Sequence, residues 1–595
     1  MGHYKVRKQD LFFVLKEQLN YGQLCQYERY KELSENALDM VVSEAVKFAH
    51  GVVEPLRDVG EETGIRYEEG KVVCPPEYRA ALKQCGENGF IAAARDTTYG
   101  GEGLPLMMRI IINELFYGAY QSFNILPSLT HGAGHLIESF GSADQKNHFV
   151  RRMYAGEWAG TMALTEPTAG SNLGNINTKA VRDGDHFKIS GSKIFITYGE
   201  HDAAENIIHL VLARLEGAPE GVQGLSLFIV PKILVDDDGK LREANDLFCV
   251  RVEKKMGLHG APTTVMNFGD NNRCVAYLCG EENAGLHNMF QLMNQARINS
   301  GVSGMTMASS AYLNALEYCK ERIQGVDIAK RKRGFVPIID HPDVRRMLLG
   351  MKGTVEGLRS MIYFGAFVSD LADSETEPHK RKRYGLLLDF LTPIIKAYSS
   401  HMGFELCSTA MQCFGGSGYM RDYPVEMYLR DIRAAALYEG TNGIQSIDLS
   451  RRKMTMENGA ALQAFLQAVN DFTKQNEKHR RFTTEVLMLQ RTLGQMEEVC
   501  RRHTAYWQDE PLSAASRSFP LLLCFGDVVL IWRLLDMAVI AERALTTGTT
   551  DKNFYLGKIL AATYVAKELL PQTQARLGAI MEGAHEIIEA TEEQF

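Results

Sequence analysis

The hydrophobic period of this chain changes twice, and this constrains the fold more than any single motif does. Up to about residue 160 the apolar positions recur at helical spacing, as in Leu11 to Leu19 and Leu38 to Val53. A glycine loop, Tyr99-Gly100-Gly101-Glu102-Gly103-Leu104-Pro105, interrupts the pattern before it resumes in Met107 to Tyr120 and Asn124 to Phe140. From Thr161 the period falls to two. His186-Phe187-Lys188-Ile189-Ser190 and Lys193-Ile194-Phe195-Ile196-Thr197 alternate around Gly191, which reads as a hairpin with a glycine turn. Ile207 to Ala213 and Leu225 to Val230 are expected as further strands. After Glu281 helical spacing returns: Val344, Leu348, Met351, Val355, Leu358 and Ile362 step by four and three along one face.

The expectation is a mainly α chain with a small antiparallel β domain in the middle. At about 150 residues per domain, 595 residues allow three to four domains. The segments read as an N-terminal helical extension (1–36), a helical domain (37–160), a β domain (161–280), a helical bundle (281–455) and a further helical block (456–595).

A net charge of -8 argues against general nucleic-acid binding. Lys330-Arg331-Lys332-Arg333 and Lys380-Arg381-Lys382-Arg383 read as solvated loops, or more sharply as attractors of a nucleotide phosphate. Eleven cysteines without a CxxC pair suggest neither a zinc site nor a disulfide framework and fit the reducing cytoplasm. Met1-Gly2-His3-Tyr4-Lys5 lacks a signal-peptide core, and Val6 breaks the myristoylation pattern. Phe519 to Leu535 is strongly apolar, but Asp527 and Arg533 interrupt it, so a buried helix is expected rather than a membrane span.

Four segments bear chemistry. Tyr438-Glu439-Gly440-Thr441 places a carboxylate after the apolar run Ala434 to Leu437. Poor solvation would raise its proton affinity and fit it for general-base work, and Gly440 would let a flat ligand reach the backbone. Alone, these residues also read as a turn or cap. Thr165-Glu166-Pro167-Thr168-Ala169-Gly170-Ser171-Asn172 is a rigid, hydroxyl-rich loop able to hold phosphate or a polar ring. Ile194-Phe195-Ile196-Thr197 sets an aromatic beside a hydroxyl. Phe414-Gly415-Gly416-Ser417-Gly418-Tyr419 lacks Rossmann spacing and suggests close approach of a backbone or cofactor. His131 and His135 are four apart, but two glycines and an alanine lie between them, so a metal-binding role is not favoured. Gly-x-Ser-x-Gly and P-loop patterns are absent, which leaves hydrolase and kinase readings little support.

In this order the segments resemble the acyl-CoA dehydrogenase family, whose motifs read Thr-Glu-Pro-x-Ala-Gly-Ser-Asp, Trp-Ile-Thr, Gln-x-Phe-Gly-Gly-x-Gly and Tyr-Glu-Gly-Thr. The extra ends, Tyr4 to Asn20 and the C-terminal block, resemble a longer bacterial branch that includes methylmercaptopropionyl-CoA dehydrogenase-like proteins. The resemblance implies a helical domain, a middle β-barrel, a four-helix bundle and an added helical domain. It also implies FAD between β domain and bundle, near Met162, Leu164, Thr165, Ser171, Phe195, Thr197 and Thr441. Arg322 and Gln324 would meet FAD phosphates, and Gln412, Gly415 and Gly416 the adenine side of the neighbouring subunit's FAD. Ser171, Asn294, Arg297, Tyr438 and Gly440 would contact acyl-CoA. Glu439 would be the base for α-proton abstraction while β-hydride passes to flavin N5. The family's other base position falls on Ala296 here, so Glu439 has no rival.

Met162 stands where an aromatic is common, Phe195 replaces Trp, Asn172 replaces Asp, and Gly443 stands where a larger polar residue is common. The implied partners are electron-transfer flavoprotein and a second copy of the chain, with no nucleic acid. Membrane-surface contact through the C-terminal block is a less favoured alternative. The competing functions are an acyl-CoA oxidase on the same fold and a non-catalytic, DNA-associated flavoprotein, which the retained Glu439 and the acidic net charge disfavour.

Overall fold

The computed structural model describes residues 4–236, 238–438, 440–583 and 585–595; for residues 291–294 and 585 the backbone alone is described. The chain is mainly helical with one β domain, and divides into two compact units, residues 38–296 and residues 3–37 with 297–595. The division falls inside the helix Gly285–Glu321, before Arg297.

In the first unit the helix Leu106–Phe140 joins the two expected helical stretches across a break at Tyr120 (φ -161°, ψ 105°). The phenol turned out there fits because Gly60 and Gly260 carry no side chain. A Cβ on Gly60 would stand 2.2 Å from the Tyr120 hydroxyl, and one on Gly260 2.1 Å. A short hairpin, Arg66–Glu68 with Lys71–Val73, was not legible in a stretch this charged.

The main sheet runs in the order Leu247–Val252, Thr263–Phe268, His186–Thr197, Val275–Leu278, Leu225–Pro231, Asn206–Leu215, Trp158–Ala163. Lys179–Asp183 pairs with both His186–Thr197 and Asn206–Leu215. Pairing is antiparallel except where Asn206–Leu215 receives Trp158–Ala163 and Lys179–Asp183 in parallel, with Met162 opposite Leu210.

The hairpin expected around Gly191 is instead one continuous strand, His186–Thr197. Gly191 pairs with Phe268, and a Cβ there would lie 2.8 Å from the Thr178 Cα. Its missing side chain serves a close approach of backbones, not a turn.

In the second unit, Pro342–Ser374 buries Leu348, Met351, Val355, Leu358 and Ile362, the face read from their spacing. The apolar run Phe519 to Leu535 lies in the helix Pro511–Thr547, which packs on Pro342–Ser374, Thr483–Asp509 and Lys552–Glu582. The two charges that interrupt it are cross-helix ties. Asp527 accepts from Tyr398 (2.7 Å), Thr573 (2.9 Å) and Arg576 (2.7 Å). Arg533 donates to Ser360 at 3.1 Å and lies over the Phe364 ring. Among the described residues no helix is long and apolar enough to cross a membrane.

Lys380 to Arg383 do not form a loop. They occupy the start of the helix Pro378–Phe414, where Glu377, Glu457 and Asp471 pair with Lys380, Lys382 and Arg383.

The first residues of the chain and the C-terminal block meet within this unit. Lys558, fully buried, donates to Asp10 at 2.6 Å and lies 3.1 Å from Glu356, which also pairs with Lys352. Burial works against the Asp10 carboxylate, but Lys558, Lys352 and Arg359 outweigh it and lower its pKa to about 2. A carboxyl depressed in the folded state stabilises above its unfolded pKa and loses that contribution as pH falls through the folded value. Stability should therefore decline between about pH 4 and pH 2 through this group. Asp10→Asn, which leaves Lys558 short of a carboxylate, should destabilise by about 3 kcal/mol at neutral pH. It should also flatten the acid limb of the unfolding profile; denaturant unfolding at pH 7 and pH 3 measures both.

Candidate functional site

Within residues 38–296 the strand Trp158–Ala163 delivers Met162, half-buried, and then Leu164 and Thr165. The loop that follows is fastened to the strand His186–Thr197. The Thr165 carbonyl accepts from the Ile194 amide at 2.9 Å. Lys193, with no exposed side-chain surface, donates to the Leu164 carbonyl (2.9 Å) and to Glu166 (2.8 Å). Glu166 also accepts from the amides of Asn177 (2.7 Å) and Thr178 (3.0 Å) and from the Thr178 hydroxyl. Burial lowers the Lys193 pKa to about 8 against the pull of Glu166. It works against the Glu166 carboxylate too, yet Lys193 and these donors hold that group below its usual range.

This frame presents an unusual surface. Phe195 has φ 60° and Tyr198 φ 54°, left-handed values that cost a bulky residue on the order of 1 kcal/mol each. Tyr198 is held by its amide to the Pro262 carbonyl (2.8 Å) and its hydroxyl to the Ser122 carbonyl (2.8 Å). The Phe195 ring is 60% exposed, while Ile196 beside it is buried. A strained backbone therefore lays an aromatic face in the open next to Thr165 and Thr197, a setting suited to a flat ring with polar edges. Ser171 stands further along the loop, exposed. Thr168 and Asn172 line a separate cavity of about 730 Å³ with Asn177, Arg214 and Glu220, away from the Phe195 face.

The unit containing residues 297–595 holds a cavity of about 580 Å³ where two helices end, Gly285–Glu321 and Pro378–Phe414. Arg322, Gln324, Gln412, Gly415 and Gly416 all line it, with Tyr318, His341 and Val344. Gly415 takes φ 59°, and nothing approaches a Cβ built on it or on Gly416, so the open space faces bare backbone. The Arg322 guanidinium lies over the Tyr318 ring, and His341 Nε2 is 2.7 Å from the Gln324 carbonyl. A guanidinium, amides and side-chain-free backbone together suit a phosphate-bearing nucleotide.

In the same unit Gly440 (φ 81°) precedes Thr441, whose hydroxyl caps the helix Asn442–Ile447 by accepting from the Ile444 amide at 3.2 Å. Asn442 is buried against Lys396 (2.9 Å) and Ser400 (3.1 Å), which anchors the cap. Leu437 and Tyr438 are exposed, so the expected apolar wall is not closed by this segment. Arg297, almost wholly buried, pairs with Asp448 at 3.2 Å. Glu439 lies outside the described residues, as does the side chain of Asn294.

Within each unit the expected residues largely gather: Met162, Leu164, Thr165, Phe195 and Thr197 in one, and Arg322, Gln324, Gln412, Gly415 and Gly416 in the other. Lys193, His341, Tyr318 and Asp448 were missed. Only Tyr318 carried a sequence signal, one helical turn before Arg322. His131 bonds the Ile91 carbonyl (2.9 Å), and burial keeps its pKa far below the usual value, as in a structural histidine. Among the described residues no His, Cys, Asp and Glu cluster could hold a metal.

Family models match along the whole course of the chain: the acyl-CoA dehydrogenase N-terminal domain at 36–157, its middle domain at 161–271 and its C-terminal domain at 283–454. An acetyl-CoA dehydrogenase C-terminal-like domain follows at 462–591. The 3-methylmercaptopropionyl-CoA dehydrogenase of Ruegeria pomeroyi is 34% identical over 99% of this chain and 100% of its own length. A butyryl-CoA dehydrogenase of Syntrophomonas wolfei is 32% identical, with both chains covered completely. Among solved structures, the acyl-CoA dehydrogenase of Bacillus anthracis complexed with FAD superposes with a TM-score of 0.72, covering 96% of this chain and 92% of that one at 21% identity. The chain belongs to the acyl-CoA dehydrogenase family, whose members are FAD-dependent oxidoreductases.

Proposed function

We propose that the chain oxidises a short, linear acyl-CoA thioester across its Cα–Cβ bond, with Glu439 as the base. The observation that carries this reading is the Phe195 face: an exposed aromatic on a strained backbone, beside hydroxyls fixed by a buried ion pair. Its chemistry fits FAD, as does the cavity at Arg322 and Gln412. Met162, Leu164, Thr165, Phe195 and Thr197 would hold the ring. Arg322 and Gln324 would hold the phosphates, and Gln412, Gly415 and Gly416 the adenine side, in the pattern of a dimer. Bound FAD supplies a two-electron acceptor for the hydride leaving the β-carbon.

The protein's own work is proton and charge management. The α-proton of a thioester is weakly acidic, so its removal by Glu439 must be matched by hydrogen bonds to the thioester carbonyl as enolate charge develops. The backbone amide of Glu439 would donate one of these. Its approach is set on one side by Gly440 and the Thr441 cap. Ser171, Asn294, Arg297, Tyr438 and Gly440 would contact the substrate, with Asp448 steadying Arg297. The names of the full-length relatives support the short, linear acyl class. Electron-transfer flavoprotein would take the electrons, in a homodimer in the cytoplasm, where eleven free cysteines stay reduced.

Anaerobic titration with butyryl-CoA, methylmercaptopropionyl-CoA and longer thioesters should bleach the flavin band of the wild type. Glu439→Gln should slow bleaching about 10²–10⁴-fold and retain FAD. An FAD-loaded wild type that none of these thioesters bleaches would sink the proposal. Arg322→Ala, which removes a charge-assisted contact, should weaken FAD binding tenfold to about a hundredfold without changing the rate of the loaded fraction; reconstitution of the apoprotein followed by flavin fluorescence reads this.

A further inference from the structure

The cavity at Arg322 has a feature that cofactor binding does not explain. The two helices that end there each carry a cysteine within two residues of their last: Cys319 in Gly285–Glu321 and Cys413 in Pro378–Phe414. The helix ends are clamped together by their neighbours. The Tyr318 and Phe414 rings meet at 4.4 Å, Tyr423 packs against both, and the Tyr318 hydroxyl donates to Ser417 at 3.2 Å. This clamp places the thiols of Cys319 and Cys413 in hydrogen-bond contact. Cys413 lines the cavity itself, whereas Cys319 lies fully buried behind it.

We propose that Cys319 and Cys413 are a dithiol modification site, oxidised by hydroperoxide that enters through the cavity and closed reversibly as a disulfide. The Cys319 thiolate attacks one peroxide oxygen, the O–O bond breaks, and hydroxide leaves, giving a sulfenic acid. The Cys413 sulfur then displaces the sulfenic oxygen, forms the S–S bond and releases water. Two thiols and one hydrogen peroxide give one disulfide and two waters, with two electrons passing from sulfur to peroxide.

The chemistry distinguishes this pair from the other nine cysteines. The Cys413 thiol donates to Cys319 and holds the Cys319 pKa below its usual value. Each of the others is raised, chiefly by burial. Reactivity follows thiolate character and access, and here access comes through a cavity rather than the outer surface. The inference stands apart from acyl-CoA oxidation, because its readout is sulfur chemistry and not turnover.

The test is stoichiometric hydrogen peroxide added to the full-length FAD-loaded protein, followed by alkylation and peptide mass spectrometry. The wild type should give one cross-link, 319 to 413, that dithiothreitol removes. Cys413→Ser should stop at a sulfenic acid on Cys319 that dimedone traps, and Cys319→Ser should give neither product. Oxidation that reaches other cysteines first, or a wild type without the 319–413 cross-link, overturns the proposal. A Cys413→Ser protein with no dimedone adduct on Cys319 overturns the assignment of the attacking sulfur.

Discussion

A lysine ammonium sealed from water is tolerable only if acceptors surround it, and Lys193 has two: the Leu164 carbonyl and the Glu166 carboxylate. That requirement fixes the geometry around it. Glu166 in turn needs the amides of Asn177 and Thr178, so the loop after Trp158–Ala163 cannot swing away from the strand His186–Thr197. With the loop fixed, Thr165 and Phe195 stand in one place relative to each other, and the left-handed backbone at Phe195 is held rather than relaxed. The ion pair matters less for net stability than for making the arrangement singular, since any shift of register would strand a buried charge.

Much of this was legible from pattern. The switch of hydrophobic period located the β domain, and the helical spacing from Val344 to Ile362 named the buried face of Pro342–Ser374. The gap between the stretches ending at Tyr120 and starting at Asn124 marked a real break in Leu106–Phe140. These are local signals, and local sequence carries them. The failures are also physical. Gly191 was misread because a glycine that permits close packing and one that permits a turn look alike in sequence, and only Thr178 across the sheet separates them. The basic run at Lys380 was read as a loop because its partners, Glu457 and Asp471, are distant in sequence.

The site divides along the same line. Motif order assembled Arg322, Gln324, Gln412, Gly415 and Gly416, which line one cavity, because each sits at or just beyond a helix end that the sequence marks. Lys193 and Asp448 had no such mark; each is defined by the charge it neutralises, and that partner comes from another part of the chain. Arg297 illustrates the difference. As a lone arginine on a helix it suggests an anion site, yet its guanidinium is buried against Asp448, so its role includes holding the segment after Thr441 in position.

Asp10 and Lys558 are neighbours in space and lie 548 positions apart in the chain. The unit they close is discontinuous, with residues 38–296 forming a separate compact body between its parts. During synthesis the first stretch emerges long before its partner helix exists, while the intervening body can already bury its own core. Leu11, Phe13 and Leu15, all buried in the finished fold, then wait in the nascent chain without the helices that cover them. Completion of this unit is therefore gated by translation of the C-terminal block. A chain interrupted before Lys558 would carry an assembled β domain beside an apolar N-terminal segment open to chaperones.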